Sequence, residues 1–296
     1  VFLFNNPYTY RVSTHFSWKI SIVTALLSLG MVGMAVWQWN RHIWKIGVIN
    51  HLTSNLERQP VELTSLSTST DKSDWAPYYF RRVRVSGTFD FTREVVIRNR
   101  RLGKVAGFHV ITPLQLDGSN ISILINRGFL PIGAESQEIR RKFQPQGHTS
   151  FTALLKEPVS PKMFSPRDGD AGIDKMWVDS WLRVDVAKMQ RQIPYSVLPV
   201  YAERIGDEAS PELASKIVQG SDAGRNEILL YTTDNKVENQ GLGPVDGNYP
   251  LAAHDTTPPP DIHLGYVWEW SFMALLTTSI GIILQLPRPG RIRVSQ

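Results

Sequence analysis

From Ile20 to Asn40 the sequence runs for 21 residues without a charge. At about 1.5 Å of rise per residue a helix of that length crosses a hydrocarbon core of about 30 Å. Trp37, Trp39 and Trp44 gather where the run ends, and Arg41 and Lys45 stand among them. Apolar core, aromatic belt and basic headgroup zone follow in that order. A helix continuing through this stretch is expected to carry Gln38, Arg41 and Lys45 on one face. The same residues also suit a plain membrane anchor with interfacial tryptophans.

The other end of the chain mirrors this pattern. Leu264 to Pro287 is 24 residues with one formal charge, Glu269, and Arg288, Arg291 and Arg293 come next. This reads as a second transmembrane helix. Basic residues favour both termini inside: Arg11, Lys19 and the three C-terminal arginines against Arg41, Lys45 and Arg58 after the first span. The long intervening segment is then outside, in a periplasm-like space. Antiparallel spans bring Trp37-Gln38-Trp39 and His263-Leu264-Gly265-Tyr266 to one membrane depth. Gly30 and Gly33 with Ala274 and Gly281 are expected to permit close backbone approach.

The first apolar run exceeds the usual h-region, and Trp-Gln-Trp-Asn-Arg is no small-residue cleavage site, so it reads as retained. The net charge of +5 is modest and the basic residues are spread out, which argues against nucleic acid. Without cysteine the chain has no disulfide, thiolate metal site or CxxC redox chemistry. Met31 and Met34 read as helix packing rather than thioether ligands for copper.

The helical pattern persists from Arg41 to about Leu56, with Ile43, Ile46, Ile49 and Leu56 at helical spacing and Pro60 as the stop. Beyond it the chain reads mainly as strands. Tyr79 to Phe89 alternates apolar and polar residues. Further strands are expected over Glu94–Arg98, Phe108–Leu116, Ile121–Phe129, Thr149–Lys156, Val200–Arg204 and Ile228–Thr232. Asp117-Gly118 marks a hairpin, and short helices are expected near Ser136–Lys142 and Asp185–Gln192. Residues 206–227 and 239–260 are rich in Gly, Pro and small polar residues, and the second reads as a linker into the final helix. Asn126-Arg127-Gly128 looks like a strand-to-turn transition, and Arg98, Arg100, Arg101 and Lys104 like a solvated basic turn. These features give an α+β membrane protein. Two transmembrane helices, residues 20–40 and 263–287, flank an extramembrane, mainly antiparallel β domain, residues 41–262, with a small barrel as one form of it. Tails of residues 1–19 and 288–296 complete the chain.

No phosphate loop, HExxH, GxSxG or EF-hand pattern occurs, so no enzyme is expected. His109 reads as a satisfied strand histidine. His263 opens the second span, with Tyr266 and Trp270 three and seven residues on. A neutral imidazole there suits haem iron, Trp and Tyr suit the faces of a flat macrocycle, and Arg41 and Lys45 suit its carboxylates. An interfacial histidine bonded to water fits the same position.

Five motifs in order carry a resemblance. They are Trp37-Gln38 with Arg41 and Lys45, then Arg82-Val83-Arg84-Val85-Ser86-Gly87-Thr88-Phe89, and Gly107-Phe108-His109-Val110-Ile111-Thr112-Pro113-Leu114. Next come Ile125-Asn126-Arg127-Gly128-Phe129-Leu130-Pro131, and finally His263-Leu264 with Tyr266 and Trp270. Together they resemble the surfeit locus protein 1 family, with departures at Ile262, Ala35, Val267 and Phe129. The resemblance implies a non-enzymatic assembly factor of cytochrome c oxidase in an inner membrane, with a bacterial membrane expected over a mitochondrial one. Its implied cofactor is haem a, with His263 as the iron contact and Trp37, Gln38, Arg41, Lys45, Tyr266 and Trp270 around it. Its implied partners are the catalytic subunit of the oxidase, other assembly factors and the lipid bilayer. The alternative is a structural accessory subunit or scaffold that never touches haem.

Overall fold

The computed structural model describes residues 8–13, 16–66, 69–102, 105–161, 165–166, 168–169, 176–205, 249–251, 260–286 and 288–293. The chain divides into two compact units, Val1–Gly47 with Pro260–Gln296, and Val48–Pro259. The expected strand at Ile228–Thr232, residues 206–227 and most of the expected linker, residues 239–260, lie outside the described residues.

The first unit holds most of the helix α1 (Trp18–Glu57, 40 residues) and a final helix of 23 residues, Asp261–Ile283. Both are long and apolar enough to cross a membrane, and Leu26, Leu29, Phe272 and Leu275 are among their many exposed apolar side chains. The flanking segments are not free tails. Strand β1 (Tyr8–Ser13) pairs antiparallel with a terminal strand, Arg288–Arg293, Tyr8 lying opposite Arg293 and Ser13 opposite Arg288. Neither strand was expected from the sequence.

The second unit is built on an eight-stranded sheet. Its strands are β2 (Val61–Glu62), β3 (Arg82–Phe89), β4 (Val95–Leu102), β5 (Val105–Leu116), β6 (Ser122–Pro131), β7 (His148–Lys156), β8 (Ser180–Trp181) and β9 (Val197–Arg204). In space they run β2-β3-β7-β9-β6-β5-β4-β8, and β3 also pairs with β5. That extra pairing, Gly87 opposite Leu116, closes β3, β7, β9, β6 and β5 into a ring. The ring is a small barrel, and most of the sheet's pairings are antiparallel as expected. The sheet is mixed: β2–β3, β6–β9 and β4–β8 are parallel. Strand order along the chain does not reveal that β9 returns beside β6, a long-range pairing.

Burial explains the strands. In β3, Val83, Val85, Gly87 and Phe89 point inward and alternate with wetter neighbours, as one solvated face requires. Nearly every residue of β5 and β6 is buried, so no alternation survives there. One core cluster combines Val83, Val85, Leu114, Ile123, Ile125, Leu155 and Val200 with Leu63 and Trp75. A second gathers Ile97, Ile111, Leu124 and Tyr201 under Trp181 and the short helix α3 (Val186–Met189). Helix α2 (Gln137–Arg140) follows β6, and both short helices fall where Ser136 and Asp185 cap them. The Asp117-Gly118 turn joins β5 to β6, with Gly118 at a φ of 65°. The last turns of α1 bury Leu52 and Leu56 against Leu154 and Ile205, while Asn55 donates to the Tyr79 carbonyl at 2.8 Å.

Two further readings change. Asn126-Arg127-Gly128 is a bulge inside β6, because Val110 pairs with Gly128 but Ile111 with Asn126. Gly128 takes a φ of 128°, and the extra residue, Arg127, turns into the interior. There it meets Glu94 at 2.7 Å, with Thr112 donating to the same carboxylate at 2.8 Å and Arg140 at 3.5 Å from its other oxygen. Burial pulls the Arg127 guanidinium below its ordinary range, and the Glu94 carboxylate resists that. The solvated basic turn is likewise a strand, since Arg98, Arg100 and Arg101 belong to β4; Lys104 lies outside the described residues.

Candidate functional site

Helix α1 buries one narrow stripe in the first unit. Ser21, Thr24, Ser28, Met31, Ala35, Gln38, His42 and Lys45, spaced alternately by three and four, are its covered or half-covered positions. The helix Asp261–Ile283, numbered α4, offers a matching stripe of His263, Val267, Trp270, Ala274, Thr277 and Gly281. Such a repeat keeps one seam in contact along two long helices. Small and polar residues make this seam, the composition that packs helices where lipid is the solvent. Ser21 and Gln285 bond each other, Ser28 and Thr278 lie 2.9 Å apart, and Thr277 donates to the sulfur of Met31.

Gly281 packs directly on Thr24, since a Cβ added there would lie 2.6 Å from Thr24 Oγ1. Of the four small residues expected to allow close approach, Gly281 and Ala274 are buried. Gly30 and Gly33 are corrected, as nothing lies near either. They sit off the seam; Ala35 occupies it instead.

At the end of the seam furthest from β1 stand the chemically capable side chains. His263 Nδ1 lies 2.9 Å from Gln38 Oε1. An amide oxygen only accepts, so Nδ1 carries the proton and donates, which in the neutral ring leaves the lone pair on Nε2. One turn on, His42 Nδ1 lies 2.9 Å from the Pro260 carbonyl at the start of α4. Lys45 is buried like Gln38 and His42, and it pairs with no carboxylate among the described residues. The charges of Lys45 and Arg41 both bear on His263.

Gln38 and Lys45 thus share a face, but Arg41 does not share it fully. Helical residues advance by about 100°, which leaves i+3 about 60° off the line. Arg41 is exposed there, its guanidinium 3.9 Å above the Trp44 ring. Trp37, one residue before Gln38, is 55% exposed and lies well off the seam, and Tyr266 is exposed in the same way on α4. Trp270, seven residues after His263, is half-buried on the seam. His42 is the residue that sequence reasoning passed over. Its spacing, four after Gln38 and three before Lys45, was the available signal.

The sequence pattern of the SURF1 family matches residues 25–275, from within the first apolar helix to within the last. The chain belongs to the SURF1 family. A SURF1-like protein of Caenorhabditis briggsae is 33% identical over 163 residues, 47% of this chain and 50% of that protein. Surfeit locus protein 1 of Mus musculus is 28% identical over 150 residues, 46% of this chain and 47% of its own length. A SURF1-like protein of Monosiga brevicollis is 28% identical over 219 residues, 70% of this chain and 79% of the relative. The chain spans about half the length of the first two. All three come from eukaryotes and give no support to the expected preference for a bacterial membrane.

Proposed function

We propose that this SURF1-family chain is a non-enzymatic assembly factor for cytochrome c oxidase. It crosses an inner membrane through α1 and α4 and holds haem a for the catalytic subunit. Membership of a family of oxidase assembly factors supports the first part. The haem reading is carried by one observation, the His263–Gln38 hydrogen bond.

The residues fit the group. A ligating imidazole needs its other nitrogen held by an acceptor, and Gln38 supplies one. A propionate-bearing macrocycle needs cations, and Lys45 is a buried ammonium without a carboxylate partner among the described residues. When bound, haem a supplies an iron with an open coordination position and a formyl-bearing, farnesylated ring. His263 Nε2 would face the iron, Lys45 and Arg41 would face the carboxylates, and Trp270 and Tyr266 would flank the ring. Trp37, like Arg41 and Tyr266, is exposed beside the buried stripe and would meet the ring from there.

One observation favours a second reading. The Gln38–His263 contact resembles the Ser21–Gln285 and Ser28–Thr278 contacts further along, which do nothing but join helices. On that reading the chain is a scaffold or accessory subunit that binds no haem. Coexpression with haem a synthesis decides between them. Purified chain is expected to show a haem a spectrum that His263→Ala removes. A colourless wild-type chain that copurifies with finished, haem-loaded oxidase would favour the scaffold.

A further inference from the structure

The small residues of the α1–α4 seam leave a groove of about 490 Å³ along the helix pair. Trp39 and Val267 line the end next to Gln38 and His263. Ala35 and Ala274, both buried, lie under its middle, and the bonded pair Ser28 and Thr278 lines its far end. From Val267 to Thr278 is 11 residues, about 16 Å of helix.

We infer that this groove takes the isoprenoid tail of a farnesylated haem whose iron faces His263. The inference rests on the haem reading above and assigns the part of the ligand that the spanning helices recognise. Its size selects the occupant. One extended hydrocarbon chain fits it. Position then selects among hydrocarbon chains. In a bilayer an apolar tail gains nothing merely by leaving lipid for an apolar protein surface, so a free acyl chain has no reason to stay. A tail tethered to a macrocycle at His263 is delivered to the mouth of the groove at high effective concentration. The groove starts one turn from that imidazole, at Val267, and beside the glutamine that orients it, at Trp39.

The test compares two haems that differ in the tail: haem o, which carries the hydroxyethylfarnesyl group, and haem b, which carries a vinyl group there. Each is titrated into the full chain in detergent and followed by absorption. Groove-filling variants Ser271→Phe and Val32→Phe enter from the exposed rim and leave the buried stripe intact. Detergent takes up the tail equally in all samples, so the ratio of wild type to variant isolates the groove. Both variants are expected to hold haem o about tenfold more weakly than wild type does, with haem b unchanged. A variant that also loses haem b has lost the helix pair, and the other variant then decides. Haem o affinity that the fillings leave unchanged, as a groove filled indiscriminately by lipid would give, overturns the inference while the haem reading stands. Wild-type protein that binds neither haem overturns the haem reading and this inference with it.

Discussion

Nδ1 of His263 and Oε1 of Gln38 lie 2.9 Å apart across 225 residues of sequence. This bond connects the middle of α1 to the first turn of α4, and in the neutral ring it leaves the lone pair on the other imidazole nitrogen. Around it the seam changes from hydroxyl and small residues to Gln38, His42 and Lys45, all buried. The helix pair thus carries a polar, cationic end on an apolar shaft.

If Gln38 orients the imidazole, removing its acceptor weakens haem binding. Gln38→Leu is expected to lower haem a affinity by about 10–100-fold, the usual cost of losing the partner of a ligating histidine. Gln38→Glu keeps an acceptor oxygen and is expected to stay much closer to wild type. Spectroscopic titration of both proteins checks this; a Gln38→Leu chain that binds as wild type does would show the bond to be dispensable.

Helix pairing depends on Gly281. Its missing side chain makes room for Thr24, so Gly281→Leu forces the helices apart and Thr24→Gly restores part of the space. The chain has no cysteine, which makes Ser21→Cys with Gln285→Cys a clean reporter at a contact already hydrogen bonded. Oxidative cross-linking of that pair is expected to be efficient, to drop several-fold in Gly281→Leu, and to recover in part with Thr24→Gly.

In the barrel, Glu94 is the countercharge for two buried guanidiniums, Arg127 and Arg140. Glu94→Gln strands Arg127, while Arg140 keeps Asp179 at 2.8 Å, and is expected to destabilise the domain by about 3–5 kcal/mol. Arg127→Met leaves Glu94 its contact with Arg140 and is expected to cost less. Denaturant unfolding of both variants in detergent gives the order, and the reverse order would contradict this account.

Asp90 accepts the Tyr195 hydroxyl at 2.7 Å as well as the Thr92 amide. Burial alone would raise the Asp90 carboxyl, but the bonds from Thr92 and Tyr195 and the charge of Arg93 outweigh it and hold it below the ordinary carboxylate range. A depressed carboxyl stabilises the fold above its unfolded value and loses that contribution as pH falls through the folded one. Tyr195→Phe is therefore expected to cost about 1 kcal/mol near neutral pH. The difference from wild type shrinks below about pH 4. Burial and Asp90 push the Tyr195 phenol upward, so wild type also loses this contribution as pH rises above about 10. Unfolding curves across pH show whether the difference is pH-dependent; a constant difference would contradict the coupling.

The two apolar helices, six strands to within a few residues, and both short capped helices were legible in the sequence alone. They rest on local chemistry: an uncharged run of 21 residues, alternation in Val83–Phe89, a capping Ser136 or Asp185. The five motifs likewise located the family before any geometry was known. What only tertiary structure decided is which residues meet. Gly30 and Gly33 look like packing glycines and face outward, while Gly281 meets Thr24. Arg127 looks like a turn residue and is buried on Glu94, because β6 bulges where it pairs with β5. His42 shows no motif and joins the seam, and Trp37 sits in a motif and lies off it. Local pattern sets the conformation of a segment through its own backbone and side chains. Register and ring closure depend on partners tens of residues away, and the facing of the two helices on partners more than 200 away, so no nearby residue carries that information.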